Sequence, residues 1–295
     1  MSRIKITDVS KSFGDTQALS HVSLQFEEHT IYGLLGRNGA GKSTLLNIIN
    51  NRLFADSGTV TLDGNTLTEN TAALSLCFLS NENNLYPESM KVKGVLKWSQ
   101  EFYPGFDMEY AMQLCEMFKL PVKKKIKSLS TGYQSIFKNV VALSVNVPFV
   151  FLDEPTLGLD AFHRELFYRV LIEKYASAPF TAVISTHLIE EAANIIEQVV
   201  VIRQGRIIRN ESLESLLESG YCISGPKSAM NAYLSGKEVI GMDTLGGLMS
   251  AYVAGAPDSR IPDSLKVKRM DLQKLFIWLT DANEPCAPVS ARTEN

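Results

Sequence analysis

Apolar and polar residues alternate over Arg3–Val9 and Val22–Phe26, and a short apolar run covers Thr30–Leu35, so each reads as a β-strand. A glycine-rich segment from Gly36 then gives way to KSTLLNIIN, whose apolar spacing suits a helix. Past Gly58, Thr59–Leu62 and Leu74–Leu79 read as further strands, with Asp63–Gly64 and Thr68–Ala72 as polar turns between them. From about Pro87 to Ser144 the period becomes that of helices, over Val92–Phe102, Met108–Phe118 and Tyr133–Ser144. Strands return at Phe149–Leu152, Thr181–Ser185 and Val199–Arg203, separated by helical stretches at Ala161–Tyr175 and Leu188–Ile195. That alternation predicts an α/β fold: a mostly parallel sheet covered by helices, antiparallel strands at the N-terminus, and a helical insertion.

A helix over Glu211–Glu218 closes the main domain, set at residues 1–220 with a helical subdomain at about 87–145. Beyond Gly220 short mixed segments lead to DLQKLFIWLT, a terminal helix, giving a small accessory domain at 221–280 and a flexible tail at 281–295. No nucleotide motif occurs twice, so the chain carries one copy of its main domain.

Composition acts mainly by exclusion. A hydrophobic fraction of 45% and a charged fraction of 21% argue for a packed globular chain rather than a disordered one. Lys+Arg 29 against Asp+Glu 32 leaves a formal charge of -3, so the overall balance asks for no nucleic-acid partner; the run Lys123, Lys124, Lys125 and Lys127 is a solvated face or a local anion contact. Cys77, Cys115, Cys222 and Cys286 show no metal-binding or disulfide spacing and suit a reducing compartment. The N-terminus lacks a secretory apolar core. Val140–Leu152, interrupted by Ser144, Asn146 and Pro148, is shorter than the roughly 20 residues a crossing helix requires.

Candidate chemistry begins at GRNGAGKST, Gly36–Thr44, a G-x-x-x-x-G-K-[ST] phosphate loop in its proper strand–loop–helix context. Gly36, Asn38, Gly39 and Gly41 lie on a backbone that can curl amide hydrogens around phosphates, and the following helix points its positive end the same way. Lys42 is suited to the β- and γ-phosphates, Ser43 to magnesium, and Thr44 to a neighbouring phosphate. FVFLDEP ends an apolar strand in two carboxylates. Asp153 is the candidate magnesium ligand and Glu154 the candidate group polarising the attacking water. The motifs therefore predict a nucleoside triphosphate as substrate, with Mg2+ as its cofactor.

These motifs, in this order, resemble the ATP-binding subunits of ABC transporters over roughly residues 2–218. The resemblance implies that LSTGYQ, Leu129–Gln134, is the signature that contacts nucleotide on an opposing subunit through Ser130 and Gly132. It departs from the common LSGGQ form at Thr131 and Tyr133. It further implies a subunit-sensing role for Asp160 in LGLD, which also suits a helix cap, a switch role for His187, and adenine stacking for Phe13. In FLSNENNLYPESM, Asn81 is nearest the family's glutamine and a candidate for magnesium or the lytic water, with Glu82 beside it as the alternative.

The resemblance also implies a head-to-tail homodimer, or a heterodimer with a second ABC ATPase subunit, at the cytoplasmic face of the membrane. A separately encoded multi-pass permease would supply the crossing. Leu85, Tyr86, Phe102, Tyr103 and Phe106 are candidate apolar contacts for it. NENNLYPESM, LSTGYQ and the C-terminal extension look like bacterial ABC-2-type export and antibiotic-resistance systems, including the YtrB-like branch, which favours export. The competing class is a soluble ABC protein acting on ribosomes or nucleic acid, or a regulatory ATPase.

Overall fold

A computed structural model describes residues 2–83 and 85–280. The tail expected at 281–295 lies outside the described residues. Contacts divide the chain into two bodies at Ile207/Ile208.

The first body opens with β1 (Arg3–Phe13) and β2 (Thr16–Glu27), enters its centre on β3 (Ile31–Leu35), and passes through α1 (Lys42–Ile49) to β4 (Ser57–Leu62) and β5 (Asn65–Thr66). A short α2 (Thr71–Leu74) precedes β6 (Cys77–Ser80). The helical insertion follows as α3 (Val92–Phe102), α4 (Met108–Met117), a 3-10 turn at Ile126–Ser128, and α5 (Thr131–Ser144). The chain returns through β7 (Phe149–Asp153), α6 (Ala161–Ser177), β8 (Thr181–Ser185), α7 (Ile189–Ala192), β9 (Gln198–Arg203) and β10 (Arg206–Ser212).

Two sheets result. An antiparallel sheet has order β2-β1-β4-β5, with Ile4 opposite Phe26 and Ile6 opposite Leu24. A second sheet has order β10-β9-β3-β8-β7-β6, and its β9-β3-β8-β7-β6 pairs are all parallel. Its central strands β3, β7 and β8 are buried at every position, as expected where both faces of a parallel sheet are covered. Phe26 of β2 packs edge-on against Tyr32 and Phe151, centroids 4.9 and 6.1 Å away, joining the two sheets in one core with Leu34, Leu45 and Val183. Burying such aromatic surfaces contributes about 25 cal/mol per Å2 of apolar area removed from water.

Several elements differ from the pattern-based expectation. The strand expected over Leu74–Leu79 begins only at Cys77; the Asn70 side chain accepts from the Ala73 amide at 3.1 Å and caps the short helix Thr71–Leu74 instead. β1 and β2 extend well past their expected ends because irregularities in their pairing between Ile6 and Ser12 interrupt the strict alternation. The helix expected from Glu211 starts at Leu213, since β10 runs through Ser212 and the Ser212 hydroxyl accepts from the Ser215 amide at 3.0 Å.

The second body contains α8 (Leu213–Glu218), β11 (Gly220–Pro226), α9 (Lys227–Leu234), β12 (Val239–Leu245), β13 (Leu248–Ala254), β14 (Lys266–Lys268) and α10 (Leu272–Thr280). Its antiparallel sheet has order β12-β13-β11-β14. Met230 and Tyr233 of α9 join Tyr221, Ile223, Met249 and Ala251 in a separate core. On α10, Trp278 lies so close over Gly241 that a Cβ there would fall 2.1 Å from the indole. The division falls inside β10, so the second body begins at Ile208, within that strand, rather than after Gly220, and α8 belongs to it.

Candidate functional site

The parallel sheet brings three loops to one edge: β3 runs into the phosphate loop, β7 ends at Asp153, and β8 leads to His187. The carboxyl ends of parallel strands are where α/β sheets present functional groups. The loop depends on glycine at two points in particular. Gly41 has φ +111°, and a Cβ there would fall 2.6 Å from the Ala18 carbonyl; Gly39 has φ +78° and faces open space. The Lys42 ammonium folds back over the loop and donates to the Gly36 carbonyl at 2.6 Å. Burial pulls its pKa down, opposed by the nearby Glu154 and Asp153 carboxylates.

A cavity of about 300 Å3 opens here, lined by Asn38, Gly39, Gly41, Lys42, Ser43 and Thr44 on one side and by Glu82, Asp153 and Glu154 on the other. Asp153 is buried, and its Oδ1 has no hydrogen-bond partner. An unpaired buried carboxylate oxygen is costly unless something positive meets it. With the Ser43 hydroxyl on the same cavity, this oxygen-rich donor set suits a hard divalent cation such as magnesium.

Glu154 adopts φ +49°, with its amide donating to the Ser185 carbonyl at 2.8 Å. Its Oε2 lies 2.8 Å from His187 Nδ1, so an N–H at that nitrogen donates to the carboxylate. Burial raises the Glu154 pKa above the usual carboxylate range, while the neighbouring His187 and Lys42 pull it down less strongly.

Asn81 and Glu82 separate. Hydrogen bonding assigns the Asn81 amide: its Nδ2 donates to the Asn83 carbonyl at 3.1 Å and its Oδ1 accepts from Arg52 Nη1 at 3.3 Å. Asn81 therefore faces a different cavity, and Glu82 is the member of the pair that lines the phosphate-loop cavity. Lys138 of α5 holds the loop in this position, donating to the Asn81 and Glu82 carbonyls at 2.8 and 3.1 Å. Sequence reasoning missed Lys138 and Arg52. The one available signal was a lysine in the mainly apolar run Ile136–Leu143.

Ser130 and Gly132 stand at the start of α5, away from the residues lining the phosphate-loop cavity. Ser130 caps the helix, accepting from the Tyr133 amide at 3.4 Å, so the helix begins at Thr131 and not at Tyr133. A Cβ on Gly132 would fall 2.6 Å from the Gly158 carbonyl. Ser135 donates to the Leu157 carbonyl at 2.7 Å and Asn139 to that of Pro155 at 2.8 Å, so two hydrogen bonds join α5 to the segment between Glu154 and Gly158. Asp160 caps α6, accepting from the His163 amide at 2.9 Å, and these bonds hold its pKa low. Phe13 is 51% exposed at the end of β1, with the Lys11 ammonium 5.7 Å from its ring centroid; it does not line the phosphate-loop cavity.

The other cavity, about 800 Å3, lies between the sheet edge at β6 and the helical insertion. Leu85, Tyr86, Trp98, Phe102 and Tyr103 line it beside Arg52, whereas Phe106 is buried and takes no part. Among the described residues no helix is long and apolar enough to cross a membrane.

A phosphate loop at the carboxyl edge of a parallel sheet, with an inserted helical subdomain ending in the signature helix, defines a cassette-type P-loop ATPase. The ABC transporter family profile matches residues 19–157. The chain is 29% identical to the ABC transporter ATP-binding protein YtrB of Bacillus subtilis over 73% of this chain and 74% of that one. It is 30% identical to the uncharacterized ABC transporter ATP-binding protein MJ1023 of Methanocaldococcus jannaschii over 72% and 79%. Among solved structures, the ATP-binding cassette MJ0796, described as a dimer in a post-hydrolysis state bound to ADP and Pi, aligns with a TM-score of 0.62 and 26% identity over 71% of this chain and 98% of that one. The chain belongs to the ATP-binding proteins of ABC transporters. It is therefore an ATP-binding, ATP-hydrolysing subunit, of a family whose members use magnesium and are generally dimeric and coupled to a permease.

Proposed function

We propose that this chain powers export through a separately encoded permease, and that its hydrolytic site is built from Lys42, Ser43, Asp153, Glu154 and His187. The observation that carries the site is the shared cavity, which Asp153, with an unpaired oxygen, and Glu154, hydrogen-bonded to His187, line together with the phosphate loop. In this reading the loop amides from Gly36 to Gly41 and the Thr44 hydroxyl bind phosphate oxygens, and the Lys42 ammonium neutralises the β- and γ-phosphates. Ser43 and Asp153 hold magnesium, with Glu82 replacing Asn81 as the nearby polar group. Bound there, magnesium supplies charge neutralisation to the nucleotide's phosphate oxygens.

Glu154 accepts a proton from the attacking water as its oxygen bonds to the γ-phosphorus and the bond to the ADP oxygen breaks. His187 fixes the Glu154 carboxylate and favours its ionised form against the opposing effect of burial. Ser130, Gly132 and Asp160 complete the site of an opposing subunit, and Phe13 offers its exposed ring to adenine.

Coupling to a membrane partner is supported by the likeness to YtrB, an ABC transporter ATP-binding protein, and by the apolar cavity beside the helical insertion, which suits a helix from such a partner; the outward direction rests on the resemblance of NENNLYPESM and LSTGYQ to ABC-2-type export systems. The test is to recover Glu154→Gln protein with magnesium-ATP from mildly solubilised native membranes and identify its companions by mass spectrometry. A stoichiometric multi-pass protein is expected, and ATP-driven accumulation in inverted vesicles carrying both chains then establishes outward transport. Ribosomal proteins with no membrane chain would overturn the coupling; uptake into right-side-out vesicles would reverse the direction.

A further inference from the structure

The helical insertion carries a surface that neither the nucleotide cavity nor the apolar cavity uses. Lys91 and Lys125 face each other across an antiparallel bridge. The amides of Val92 and Lys93 donate to the Lys124 and Val122 carbonyls, both at 3.0 Å, so residues 91–93 and 122–125 lie side by side. Lys97 sits one turn along α3 from Lys93, on the same helical face. Lys91, Lys93, Lys97, Lys123, Lys125 and Lys127 are all exposed, and none takes part in an ion pair among the described residues.

Segments 87–102 and 119–128 together hold eight lysines against two glutamates, a formal charge of +6 in a chain whose total is -3. Like charges placed opposite each other cost stability, and an anionic partner would relieve that cost. The type of cation narrows the partner. No arginine occurs between Arg52 and Arg164. Lysines are hydrated point charges without the planar fork that reads a fixed phosphate geometry, and they suit the diffuse field of a lipid surface.

Position narrows it further. The same helix α3 contributes Trp98 and Phe102 to the apolar cavity. If that cavity takes the permease, as proposed above, the lysines beside it lie close to the bilayer that holds the permease. We infer that this lysine surface binds anionic lipid headgroups directly, an attachment additional to the permease contact.

The test uses the purified full-length chain, without permease, co-sedimented with phosphatidylcholine vesicles and with vesicles containing phosphatidylglycerol. Binding is expected only to the anionic vesicles and should weaken with added salt. The combined change Lys91→Gln, Lys93→Gln, Lys123→Gln and Lys125→Gln should reduce that binding by up to several hundredfold, given a contribution of about fivefold per lysine near an anionic surface. ATPase activity in solution should stay unchanged, which also verifies folding. Equal binding to neutral vesicles, no binding to either, insensitivity to the four substitutions, or preferential capture by single-stranded RNA would each overturn the inference. Permease recovery is scored in a separate experiment, so failure of lipid binding and failure of the coupling reading are distinguishable.

Discussion

Glu154 sits between opposing influences: burial favours its neutral form, whereas His187 favours the carboxylate. Since a general base acts when ionised, activity should fall as pH drops through a raised Glu154 pKa. Removing His187 withdraws a lowering influence, so His187→Ala should move the acid limb of the kcat profile to higher pH, in addition to reducing kcat; an acid limb that stays in place would separate the two residues functionally. At Gly132 a methyl group would meet the Gly158 carbonyl. Gly132→Ala should therefore disturb the signature and lower ATPase activity while leaving magnesium-ATP binding to the phosphate loop intact, as read by nucleotide titration beside turnover.

At this scale legibility depended on distance along the chain. The phosphate loop and the Asp153–Glu154 pair are contiguous motifs whose geometry follows from the strand preceding each. Asn81 and Glu82 could not be ordered in that way, because their directions are set by Arg52 and Lys138, which are remote in sequence.

Among the elements, α5 links the most parts. Its first turn carries Ser130 and Gly132, its middle is bonded to the segment after Glu154, and Lys138 grips the loop ahead of the helical insertion. Asn139 is buried, and Asn139→Ala would leave the Pro155 carbonyl without that partner, costing about 1–3 kcal/mol in denaturant unfolding. Lys138→Met keeps much of the apolar stem but removes both bonds to the 81–82 carbonyls, so kcat should fall several-fold with little change in overall stability. An unaltered kcat would show that Glu82 needs no such support. Pattern reading located α3 and β8 at their observed limits, since their periodicities are long or cleanly bounded. It missed α2, where a single Asn70 cap overrides a stretch that reads as a polar turn leading into a strand.

For the whole molecule, the two-sheet body with its helical insertion was legible because parallel strands and helices alternate along the chain. The limits of the second body were less so, since the division falls inside β10 and no linker marks it. The large apolar cavity connects the ATPase to its proposed work. Replacing Phe102, 74% exposed on its rim, with Glu should abolish permease recovery while sparing hydrolysis by the isolated chain. Retained recovery would locate the permease elsewhere.

The central claim is that one cavity both binds ATP through the phosphate loop and hydrolyses it through Glu154. The most direct measurement compares magnesium-ATP affinity and steady-state turnover in the wild-type and Glu154→Gln proteins. The account predicts near-equal affinity with turnover lower by about 10²–10⁴-fold, the usual contribution of a general base; turnover near the wild-type rate would contradict it.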